Sequence, residues 1–266
     1  MKEKEIIEIV EHRFNTIHKL SHQIIKEFNA DDIHDFRVEV KKLRAFLRLA
    51  DEEEVDGPLI PKPLKTFYGY VGIVRNIQLH RHNIFKYIKD YSIEQPTAYI
   101  EILNQEKSYW QKEAADLMEE NNFRDDEEKI IKHLPGKLEK SSVKTFVKNK
   151  LDELKEQLKE MGDDNAIHAV RKILKDILYN CDIIEGNVDL PEMISKEDDL
   201  KTLTTTLGDF RDKCIRLEFL QPEYLDEIKD SEEKSRLLQM KNIFEKDKQI
   251  MNQQLQNSLK KLQAQL

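Results

Sequence analysis

The chain has 266 residues; 36% are charged, Gly and Pro number only 7 each, and the formal net charge is −8. So few turn formers exclude a loop-rich or many-stranded fold, and Lys and Glu at helical spacing point to long amphipathic helices with solvated outer faces. The acidic balance excludes nucleic-acid binding over the whole surface, although a local basic stripe still acts within a screening length of about 8 Å.

Eight helical stretches follow from the apolar periodicity, and strand-like alternation is almost absent. The first spans residues 4–28, with Ile6, Ile9, Val10, Ile17, Leu20 and Ile24 on one side. The turn NADD separates it from the second, residues 33–50, which ends at the acidic run 51–58. The third covers residues 63–89 and the fourth 96–121, each opened by proline. The stretch RDDEEK reads as a seam between a first half, 1–125, and a second, 126–266. There the order starts over. One helix spans 138–161 and stops at Gly162, and another spans 167–185. A loop then leads to a helix over 199–220, which Pro222 breaks, and a long polar helical segment fills 224–266. The expectation is a single all-α domain of two four-helix bundles. The first dozen residues lack the apolar block of a signal peptide, and no run approaches a membrane span. Cys181 and Cys214 stand far apart and are expected as separate small thiols on apolar helix faces. A cytoplasmic setting is expected, with no membrane partner.

The halves repeat each other. Ile33, His34, Arg37 and Lys41 align with Ile167, His168, Arg171 and Lys175 at an offset of 134 residues. Leu64, Lys65, Thr66, Gly72 and Arg75 align with Leu200, Lys201, Thr202, Gly208 and Arg211 at an offset of 136. Polar residues match as well as apolar ones, which points to an internal duplication, with two sub-bundles related by a pseudo-twofold axis.

At about 100° per residue, His34, Arg37, Lys41, Arg44 and Arg48 fall within about 80° of one another. Phe36, Val40, Leu43, Leu47 and Ala50 take the opposite side. One cation per turn on one face repels itself. Glu39 points away, so the row is not neutralised by its own helix; acids on neighbouring helices are the alternative. The functional reading is an anion-binding face. Asp31 or Asp32 is expected to cap the helix, which would place His34 in the first turn, neutral, beside free N–H groups at the positive end of the dipole. In the second copy His168, Arg171 and Lys175 hold the face, but Leu178 and Asp182 replace Arg44 and Arg48, and Asp176 replaces a further cation.

On the third helix Lys65, Tyr68, Gly72 and Arg75 share a face, as do Lys201, Thr204, Gly208 and Arg211 on its counterpart. A glycine inside a helix costs about 1 kcal/mol relative to alanine, so close approach of a backbone or ligand is expected there. Further cations that could line the same groove are Lys19 and His22 on the first helix and Lys144 and Lys148 on the 138–161 helix.

The segments IHDFRVEVKKLRAFLRLA and TLGDFRDK resemble the signature segments of the conserved-histidine α-helical domain, CHAD. His34, Arg37, Lys41 and Arg44 match the first motif, and His168, Arg171 and Lys175 the second. Gly208, Arg211 and Asp212 match the following Leu-Gly-x-x-Arg-Asp-like segment; Gly72, Arg75 and Asn76 match its first-half partner with Asn for Asp. The resemblance implies two pseudo-symmetric four-helix bundles with a basic central channel or surface. It also implies binding of inorganic polyphosphate and association with polyphosphate granules.

The function expected is a polyphosphate-binding module with no cofactor or metal, its polyanion held by His34, Arg37, Lys41, Arg44, Arg48, Lys65, Arg75, His168, Arg171, Lys175, Lys201 and Arg211. The alternatives belong to other classes. A polyphosphate- or triphosphate-processing enzyme would need metal-binding carboxylates or an activated nucleophile beside the basic rows, and no carboxylate cluster, Walker loop or HExxH stands there. A histidine metal site is open to His18 with His22, and to His80 with His82. A helical scaffold for other phosphorylated ligands, nucleic acid included, is disfavoured because few aromatics accompany the rows.

Overall fold

The computed structural model describes residues 1–50, 60–121, 123–160, 162–185 and 189–266. The end expected for the second helix at 51–58, position 161 and the loop start at 186–188 lie outside these. Among the described residues the regular elements are helices: α1 (Glu3–Glu27), α2 (Ala30–Ala50), α3 (Lys62–Tyr91), α4 (Thr97–Glu120), α5 (Arg124–Lys132), α6 (Lys140–Gln157), α7 (Asp164–Leu178), α8 (Cys181–Ile184), α9 (Glu192–Ser195), α10 (Glu197–Glu218), α11 (Pro222–Leu225) and α12 (Ser231–Gln263). The all-α expectation holds. No helix there is long and apolar enough to cross a membrane.

α1 buries Ile6, Val10, Phe14, Ile17, Leu20 and Ile24 at helical spacing. It stops at Phe28, whose φ of 49° turns the chain so that its N–H returns to Ile24 O. The seam RDDEEK is not a linker but α5. Its Asp126 is buried and accepts from the Leu64 N–H, capping α3, whose own preceding residue, Pro61, makes no side-chain cap. α4 is capped in the same remote way. The buried Glu233 of α12 accepts from Tyr99 N (2.8 Å) and Ala98 N (3.3 Å). The expected 167–185 helix divides at Tyr179 and Asn180, because the Asn180 side chain donates back to Asp176 O (2.9 Å) and across to Ala45 O (3.0 Å). The loop toward α10 carries the short helix α9.

Two apolar cores form. The larger joins α1, α2, α6 and α7 with the N-terminal parts of α3 and α10 and the last turns of α12. The smaller joins the C-terminal parts of α3 and α10 with α4, α11 and the first half of α12, around Ile77, Tyr99, Leu220 and Met240. Each core therefore draws on both halves of the sequence. α2 packs on α7 and α3 on α10 where the halves meet, and the two His-led helices lie there side by side. Cys214 is buried and Cys181 half-buried, both as free thiols.

Candidate anion site

Both His-led helices start alike. Asn29 Oδ1 accepts from the Asp31 and Asp32 N–H groups at 2.8 and 3.4 Å, so Asn29, not either aspartate, caps α2. Asp163 caps α7 through the Ala166 N–H at 3.3 Å. His34 and His168 are thus each the fifth helical residue, one turn beyond the free N–H groups expected beside them. Both imidazoles are nonetheless held toward the neutral form. His34 is lowered by burial and then by Arg75; His168 is lowered to about 4 by burial, then Arg211, Lys172 and Arg171.

The arginine one turn on crosses to the next helix pair. Arg37 Nη1 donates to Tyr68 O at 2.8 Å, and the guanidinium lies 4.2 Å from the Tyr68 ring centroid. It rests on Gly72, where a Cβ would stand 2.0 Å from Nη1. Arg171 rests on Gly208 in the same way, with 3.3 Å from such a Cβ to Nε. The glycine expected to admit a backbone or a ligand admits an arginine. Burial weakens the hold of Arg37 on its proton, and Arg171 Nε and His168 Nδ1 are buried without a hydrogen-bond partner.

Lys41 stands where the rows meet. Burial, then Arg37, Arg171 and Lys175, lower its amine to about 7, and Asp212 opposes them. Lys175 is lowered by burial and Arg171, and its Nζ lies 5.4 Å from the Tyr179 ring centroid. Arg75 bears on His34, Arg37 and Asp212. Asp212 is the acid in this company, its carboxyl raised by burial against the pull of Arg171, Lys41 and Arg75. Four helices, α2, α3, α7 and α10, thereby bring His34, Arg37, Lys41, Arg75, His168, Arg171, Lys175 and Arg211 into one electrostatic group. A cleft of about 420 Å³ between α3 and α10 opens beside it, lined by Asn76, His82, Asp209, Asp212 and Arg216 among others.

Other expected residues are placed differently. Arg48 does not continue the row. Its Nε donates to Asp176 Oδ2 at 2.9 Å, and its Nη2 to Asp176 Oδ1. Asp176, 10% exposed, also faces Lys150 at 3.7 Å. Lys201 pairs with Glu197 at 2.7 Å on the surface, and Arg211 with Glu218 at 3.0 Å while still bearing on His168. Arg44 and Lys65 are exposed on α2 and α3. Lys19, His22, Lys144 and Lys148 are exposed on α1 and α6 and are not among the charges that chiefly shift Lys41, His34 or His168. Sequence reasoning missed the aromatic partners: Tyr179 sits one turn after Lys175, a readable spacing, whereas Tyr68 meets Arg37 only through packing. It also left Lys172 and Asp212 out of the site.

Among the described residues no group of three His, Cys, Asp or Glu converges to hold a metal. His18 Nε2 lies 3.3 Å from Glu127, and the buried His80 meets the Tyr99 hydroxyl at 2.8 Å and stacks on Phe219.

This is an all-α protein with a half-buried cationic floor where its sequence halves meet, chemistry suited to holding an anion. The CHAD domain family model matches residues 8–221, and the chain belongs to that family. Its fold is similar to the crystal structure of the CHAD domain from the plant Ricinus communis, with a TM-score of 0.73 at 14% identity, covering 97% of this chain and 91% of that one. No curated protein sequence matches it.

Proposed function

We propose that this chain is an inorganic polyphosphate-binding module, not an enzyme. The observation that carries the reading is the convergence of cations from α2, α3, α7 and α10 with unpartnered donors among them, Arg171 Nε foremost, and with Asp212 as their near acid. Phosphate oxygens would accept from these N–H groups as charge-assisted hydrogen bonds and release counterions. A flexible polymer satisfies a distributed row better than a compact anion does, so affinity should rise with chain length and fall steeply with salt. The recurrence of an arginine on a helix glycine, Arg37 on Gly72 and Arg171 on Gly208, supports reading the halves as an internal duplication. The reading carries with it a cytoplasmic setting at polyphosphate granules.

Titration with polyphosphates of defined length at two salt concentrations tests it. A charge-assisted hydrogen bond contributes about 1.5–3 kcal/mol, so Arg37→Ala with Arg171→Ala should weaken binding by about a hundredfold or more. Retained affinity in that folded double variant would sink the assignment. Incubation with polyphosphate and Mg²⁺ or Mn²⁺ should release no phosphate; steady release would make the chain an enzyme.

A further inference from the structure

Lys41 differs from every other lysine near the site. Lys175 lies over the Tyr179 ring, and Lys42 is bound to Glu39. Lys150 is bound to Glu153 and faces Asp176. The amine of Lys41 makes no hydrogen bond and no ion pair, and its residue is half-buried. The charges that face it are Arg37 and His34 of its own helix, Arg171, Lys175 and His168 of α7, and Asp212 of α10, with Arg75 of α3 beside them. The nearest charges of α1 and α6, Arg13 and Lys150, are already engaged by acids. An amine crowded by guanidiniums and partly removed from water gives up its proton and keeps a free lone pair. Arginines beside it attract phosphate.

We propose that Lys41 is a nucleophilic amine that captures phosphorylated aldehydes as imines, the surrounding arginines holding the phosphate and the amine taking the carbonyl. This rests on the anion-site reading for the recruitment step. The Nζ lone pair adds to the carbonyl carbon, and the C=O π pair moves to oxygen. A proton passes from nitrogen to that oxygen. The carbinolamine then loses water as its C–O bond breaks, which leaves the C=N bond; no oxidant or reductant takes part. The lowered proton affinity, to about 7, supports the step, because an exposed lysine near 10.5 is almost wholly protonated at neutral pH.

The full chain is treated with pyridoxal 5′-phosphate at pH 7, trapped with borohydride and mapped by peptide mass spectrometry. Lys41 is expected to carry the label at least about tenfold above exposed lysines such as Lys65 or Lys144. Pyridoxal without its phosphate should label it weakly, and its labelling rate should level off above pH 7 to 8 while surface lysines continue to rise. Label spread evenly over exposed lysines overturns the inference, and does so even if polyphosphate binding is intact. Selective labelling of Lys41 in a chain that shows no polyphosphate affinity upholds the nucleophile and defeats the polymer reading instead. In a chain that binds the polymer, polyphosphate should protect Lys41; unprotected labelling would overturn the shared site.

Discussion

α2 and α7 begin as near copies and finish as opposites. Each is capped by an Asn or Asp just outside its first turn, each places His at its fifth position, and each lays an arginine on a glycine of a neighbouring helix. Beyond Lys41 and Lys175 they diverge. α2 goes on with Arg44 and Arg48; α7 offers Asp176 and Leu178, both buried. In the sequence these departures look like losses from a second anion face. In the structure they join the halves, because Asp176 takes Arg48 in a two-pronged ion pair and Asn180 reaches Ala45 O. The weaker copy gave up cations at the positions that dock it against the stronger one.

If α7 were only an impoverished site, Asp176→Ala would leave stability alone and improve anion binding. We expect the reverse. With the carboxylate gone, Arg48 (29% exposed) and Lys150 (13% exposed) face each other without their acid, at a cost of about 3 kcal/mol. A thermal or urea melt reads it, and an unchanged midpoint would show that the clasp contributes nothing.

The two glycines sharpen the comparison next. Gly72→Ala puts a methyl where Arg37 Nη1 lies and must swing that guanidinium off α3, weakening polyphosphate binding about tenfold with the fold intact. The pH response follows in size. A bound polyanion raises Lys41 from about 7, so binding takes up a proton above that pH. Affinity should therefore fall as pH rises from 6 to 8, by about tenfold at most, and flatten below 6; a flat profile from 6 to 8 would remove Lys41 from the site. Smallest is Gly208→Ala. Its Cβ would meet Arg171 Nε at 3.3 Å, a gap that a small side-chain shift relieves. Helix propensity then predicts a gain of up to about 1 kcal/mol in stability with binding nearly unchanged. Equal effects at both glycines would erase the difference between the halves.

Much of this was legible because it is local. The apolar stripe of α1 and the cationic face of α2 depend on residues three and four apart, and helix geometry alone brings those together. Helix starts were misplaced where the cap lay outside the periodic pattern, as at Asn29, and α5 was hidden because its short acidic stretch carries little apolar periodicity. The remote caps were beyond reach. Asp126 serves α3 and Glu233 serves α4 from far along the chain.

By itself the sequence determined an all-α chain, its family, and two helices that each carry His, Arg and Lys on one face. Only the tertiary structure decided which cations remain available. It drew Arg48 into a pair with Asp176, seated Arg37 on Gly72, and gathered Lys41 with Arg171 and Lys175. The physical reason is that a charge's partner is set by how helices cross, and the crossing is settled by all the apolar faces packing at once, not by the residues beside the charge.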